Sequence, residues 1–116
     1  MELNEYQDQC NRQDGSVMYP EHGTGSLIAF DYCASALTGE AGEILNKLKK
    51  IKRGDPGKTL DSQRLPLKKE LGGVFWYLAM ASMELGFTLD EIAESNLDEI
   101  KGRQQRGTLQ GDGDNR

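Results

Sequence analysis

The chain has 116 residues, 36% hydrophobic and 28% charged, with fourteen Lys and Arg against nineteen Asp and Glu and a net charge of −5 at pH 7. That is the scale of one domain. No apolar run approaches the ~18 residues of a membrane span, and the polar first twenty residues hold no signal-peptide core, so a cytoplasmic protein is expected. Cys10 and Cys33 are too few for a disulfide scaffold and lack metal-site spacing. An acidic chain without a long basic face is a poor duplex nucleic-acid binder. One count stands out: fourteen residues are glycine, well above the ~7% of average usage.

Residues Glu2 to Arg12 predict a short helix with Leu3, Tyr6 and Cys10 on one side. Gln13 to Gly25 reads as a loop, punctuated by Asp14-Gly15, Tyr19-Pro20 and Gly23-Thr24-Gly25. A long helix follows the cap Ser26. Its apolar positions Leu27, Phe30, Ala34, Leu37, Ala41, Ile44, Leu48 and Ile51 alternate three and four apart, which makes a packing seam. Gly54, Pro56 and Gly57 end it after a basic last turn.

A third helix is expected from near Pro66, since proline suits a first turn, to Leu85, with Gly86 as its C′ residue. From Leu71 to Leu85 it is apolar almost all round, so burial on every side is expected. A domain of this size cannot surround such a helix alone. A homo-oligomer is therefore inferred, with the second and third helices packing against another copy. Thr88 to Glu91 reads as a capping box opening a fourth helix, whose stripe is Leu89, Ile92, Ala93, Leu97 and Ile100. The organisation is a helical domain over 1–104 and a glycine-rich tail over 105–116.

Two segments echo each other: Glu40-Ala41-Gly42-Glu43 in helix two and Glu70-Leu71-Gly72-Gly73 in helix three. A glycine inside a helix costs roughly 1 kcal/mol relative to alanine. Gly39, Gly42, Gly72 and Gly73 therefore suggest close approach of a backbone or a ligand, or simply tight helix crossing. Glu40 and Glu43 share a helix face, and Glu70 lies on the helix expected to pack nearby. Three carboxylates between helices suit a hard cation such as Mg²⁺. The competing reading is surface glutamates, with Glu43 and Lys47 as an i,i+4 pair. Lys47, Lys49, Lys50, Lys52 and Arg53, with Lys68, Lys69, Arg103 and Arg106, could neutralise phosphates, or merely form solvated helix ends. Asn96 falls in the apolar stripe, where a buried amide needs partners. Trp76 and Tyr77 could stack on a base or fill the core.

The chain resembles the MazG-like all-α nucleoside triphosphate pyrophosphohydrolases. The resemblance spans Leu3-Asn4-Glu5-Tyr6-Gln7, Leu37 to Glu43, Lys69 to Leu78, Ile92 to Leu97 and the tail from Arg106 to Arg116. It is specific because both acidic motifs and the Trp76-Tyr77-Leu78 run occur in this order. It implies an all-α four-helix bundle assembled as a homodimer or a dimer of dimers. It also implies Mg²⁺-dependent, or Mn²⁺-dependent, hydrolysis of a nucleoside triphosphate to the monophosphate and pyrophosphate. Glu40, Glu43 and Glu70 would then be catalytic metal ligands, and Lys50, Arg53, Trp76, Asn96 and Arg103 would contact substrate. One departure is plain. The family's second motif is Glu-x-x-Asp, and Gly73 stands at its last position. The expected activity is weakened or lost unless water, Asp61 or Glu84 compensates. The alternative is a nucleotide-binding or helical oligomerisation module without chemistry.

Overall fold

The computed structural model describes residues 1–11, 17–107, 111 and 113. Gln13 to Ser16 of the expected loop and most of the tail lie outside them. Four helices follow in order: α1 Leu3–Asn11, α2 Leu27–Lys52, α3 Arg64–Glu84 and α4 Leu89–Arg106. There is no strand among the described residues. The fold is all-helical, as expected from the periodicity.

The local signals hold. Ser26 Oγ accepts the Ala29 N–H at 3.2 Å and starts α2. Thr88 and Glu91 form the reciprocal capping box of α4. Gly86, at φ +81°, terminates α3, and the Phe87 N–H reaches back to the Ser82 carbonyl at 2.9 Å. The boundaries differ slightly. α1 begins one residue later than expected, and Arg12, its expected last residue, lies outside the described residues. α3 begins two residues before Pro66, which keeps the proline in the first turn, where its missing N–H has no helical partner to lose. α4 runs to Arg106, past the expected boundary at 104, and stops where Gly107 turns left-handed at φ +72°.

α3 is the axis of the molecule: α1, α2 and α4 all pack on it, while α4 does not touch α2. The core gathers Cys10, Tyr19, Ala29, Cys33, Ala79, Met80, Ala81 and Leu89, all near the C-terminal end of α3. Both cysteines are buried. The expectation that α3 is buried on every side is therefore only half met. Ala79 to Ser82 and Glu84 are buried, residues 73–78 are half-buried, and Leu71 is 60% exposed. The physical reason is coverage: three helices and one loop surround one end of α3, but only α2 lies against the other. The radius of gyration, 17.2 Å, exceeds the roughly 13 Å expected of a compact chain of this length.

Two polar side chains tie this end together. The Gln7 amide donates to the carbonyls of Ala79 (3.0 Å) and Phe87 (3.1 Å), and its oxygen accepts the Leu89 N–H at 3.1 Å. One side chain thus joins α1 to the end of α3 and the start of α4. Tyr6 stacks on Phe75 beside it, with ring centroids 4.6 Å apart. The second tie is Glu84, 5% exposed. Its carboxylate accepts the Gly23 N–H at 2.8 Å, the Gly25 N–H at 2.9 Å and the Tyr19 hydroxyl. Gly25 has φ +70°, and a Cβ there would lie 3.1 Å from the Glu84 carbonyl oxygen, so both conformation and contact require glycine.

Burial pushes Glu84 up, but the bonds from Tyr19, Gly23 and Gly25 and the charge of His22 outweigh it and hold the carboxyl below its ordinary range. Burial, with the Glu84 bond next, raises the Tyr19 hydroxyl. A lowered carboxyl pKa contributes stability above the unfolded-state value and loses it as pH falls through the folded-state value. Glu84→Gln, which puts an amide N–H2 donor where donors already converge, is expected to cost about 2–3 kcal/mol in urea denaturation at neutral pH. The difference from the native chain should close only below the ordinary carboxylate range.

Candidate functional site

The site lies toward the uncovered end of the α2–α3 pair. Glu40 sits midway along α2 and Glu70 in the second turn of α3. Both are half-buried, and their carboxyl groups come close enough across the helix interface to act on each other. Two neighbouring carboxylates repel, which favours a proton on one or a cation beside them. Partial burial raises the Glu40 pKa, and the Glu70 bond, the Glu70 charge and the Glu43 charge add to the rise. Glu43, one turn further along α2, is exposed. It acts on Glu40 through charge. Among the described residues no three acidic, thiol or imidazole groups converge as a metal cage.

Lys47 completes the cluster. The competing reading paired it with Glu43, but its ammonium pairs with Glu70 instead, at 3.5 Å. The seam side of α2 faces α3, so the contact across the interface wins over the one along the helix. Such a partly exposed pair is worth about 0–1 kcal/mol, weak enough for a ligand to rearrange. Lys47, Leu65, Pro66, Lys69 and Glu70 line a cavity of about 430 Å³. Two lysines thus face a carboxylate across a space large enough for a phosphate chain.

The other predicted residues are not gathered here. Lys50 and Arg53 follow Glu40 by ten and thirteen residues, roughly 15 and 20 Å along the helix at ~1.5 Å per residue. Arg53 is exposed and held in a bidentate pair by Asp55, at 2.6 and 2.8 Å. Trp76 is half-buried, two turns beyond Glu70 and edge-on to Tyr77 at 5.0 Å. Asn96 is exposed, contrary to the buried amide expected. It lines an apolar cavity of about 320 Å³ with Leu3, Phe75, Leu78 and Ile92. Among the described residues α4 packs only on α1 and α3, and none of them covers that part of its stripe. Arg103, near the end of α4, pairs with Glu99. Glu84 does not compensate at the site, because it stands fourteen residues from Glu70 at the other end of α3 and holds the 19–25 loop. Asp61 is exposed in the connection before α3. Gln7 and Glu84 carried no usable sequence signal, since their partners are backbone groups distant in the chain.

The glycines also sort differently from expectation. A Cβ at Gly39, Gly42 or Gly72 would meet nothing within 4 Å, so no close approach within this chain accounts for them. At Gly73 a Cβ would lie 2.6 Å from Glu40 Oε2 and 2.8 Å from its Cδ. Of these four glycines, Gly73 alone has its side-chain space filled, and Glu40 fills it.

The family model of the MazG nucleotide pyrophosphohydrolase domain matches residues 30–108. The chain belongs to this family. Its similarity to the Gene 37 protein of Mycobacterium phage L5 is 40% identity over 102 residues, covering 87% of this chain and 90% of that protein. No solved structure matches it. The matched region contains both acidic segments, all of α3 and α2 from Phe30 onward. No helix among the described residues is long and apolar enough to cross a membrane.

Hard oxygens from Glu40 and Glu70 fit a Mg²⁺ ion, which is commonly held by one or two carboxylates and completed by waters and substrate phosphates. Without a cation the pair is a liability. A raised carboxyl pKa means stability is gained as pH falls through it and lost above it. Glu40→Gln should therefore raise the metal-free Tm by a few degrees at about pH 7, measured by circular dichroism in chelator. The gain should vanish below about pH 4, where the native carboxyl is already protonated.

Proposed function

We propose that the chain is a Mg²⁺-dependent nucleoside triphosphate pyrophosphohydrolase, releasing the monophosphate and pyrophosphate. The observation that carries this reading is the Glu40–Glu70 pair beside the Lys47 and Lys69 cavity, within a MazG domain. Glu40 and Glu70 would hold the cation, Mn²⁺ serving in its place, and Glu43 would add charge one turn away. A bound divalent ion neutralises phosphate oxygens and lowers the pKa of water in its shell. Lys47 and Lys69 would take phosphate oxygens as point charges. Trp76, Asn96, Lys50, Arg53 and Arg103 are proposed as substrate contacts only in an assembly, since one chain does not gather them at the carboxylates.

A second reading, nucleotide binding without hydrolysis, draws on Gly73, which removes the fourth acid of the family pattern. One assay separates the two. The hydrolase reading expects pyrophosphate from a panel of ribo- and deoxyribonucleoside triphosphates with Mg²⁺, falling at least about a hundredfold in Glu70→Gln. Calorimetric binding of a triphosphate with no release from any of them would favour the second reading.

The assembly is proposed as a homodimer or dimer of dimers. Leu45 on α2 and Leu65 and Leu71 on α3 are 68%, 74% and 60% exposed, and covering them by another copy would favour association. Sedimentation equilibrium should give two or four times the 12.9 kDa chain mass; a monomer at micromolar concentration would refute it.

A further inference from the structure

We infer that Gly73 is a positioning residue. Its missing side chain is the seat of the Glu40 carboxylate, so Glu40 stands where an acidic side chain on α3 would otherwise project. This rests on the carboxylate-site reading above and adds how this chain maintains the site after losing one acid.

The geometry is specific to one glycine. Gly72 and Gly73 are neighbours in the same helix and bear the same helix-propensity cost of about 1 kcal/mol relative to alanine. A Cβ at Gly72 would touch nothing within 4 Å. A Cβ at Gly73 would overlap Glu40 Oε2, Cδ and Cγ, at 2.6, 2.8 and 3.2 Å. Real Cβ atoms do not sit that close, so Glu40 would have to swing away. The Glu40 side chain is flexible and half-buried, so moving it costs the fold little. What it loses is its place beside Glu70. Alanine at 73 therefore separates stability from function: the helix gains and the carboxylate pair is pulled apart.

The measurement is Mn²⁺ binding to the full chain without nucleotide, by electron paramagnetic resonance, alongside thermal melts in chelator. The variants are Gly72→Ala, Gly73→Ala and Glu40→Gln. Gly72→Ala is expected to raise Tm and leave Mn²⁺ affinity unchanged. Gly73→Ala is expected to hold or raise Tm while weakening Mn²⁺ about ten- to a hundredfold, toward the value of Glu40→Gln. If Glu40→Gln loses Mn²⁺ but Gly73→Ala binds it like the native chain, this inference is overturned and the carboxylate site stands. If Glu40→Gln binds Mn²⁺ as the native chain does, or the native chain binds none, the carboxylate site and this inference fall together.

Discussion

The structure depends on one helix that has no polar face. α3 is apolar almost all round from Leu71 to Leu85, so it must be covered from several directions, and α1, α2 and α4 each meet it from a different side. Packing that many elements around one helix end creates a problem with backbone groups. The last turn of α3, the turn at Gly86 and the loop at Gly23 to Gly25 all bring N–H and carbonyl groups out of water. Buried groups of this kind are costly unless bonded. Gln7 and Glu84 answer that cost at the same end of the helix. One joins α1 to the α3–α4 turn, and the other holds the 19–25 loop that leads into α2.

The opposite end of α3 is organised by charge. Glu40 and Glu70 are brought together across the α2–α3 interface, where two negative charges oppose association. The cost is kept down by Lys47, which bridges from α2 to Glu70. A cation would relieve it further. The molecule is thus closed and well bonded where it needs only stability, and open and electrostatically strained where a ligand is expected. Perturbed carboxylates cluster at functional sites for this reason.

Much of this was legible in the chain. Ser26, the Thr88–Glu91 box, Gly86 and the three-four spacing of α2 are local signals, governed by neighbours within one helical turn. The two acidic segments were legible through their resemblance to a known family. What was not legible depended on neighbours far along the chain. Asn96 looked buried because its stripe is apolar, but no element covers that part of α4. Lys47 looked paired with Glu43 because both lie on α2, but α3 offers Glu70 across the seam. Gly39, Gly42 and Gly72 looked like sites of close approach; only Gly73 is one.

By itself, then, the order of residues determined that the chain is all-helical, where its helices start and stop, and which carboxylates are candidates. These follow from periodicity, caps and turn residues, whose energetics act over a few positions. Only the tertiary structure decided which carboxylates meet, which lysine serves them and what the space over Gly73 contains. The reason is that helix packing, unlike helix formation, pairs residues on different helices many turns apart in the chain, and no spacing rule reaches that far.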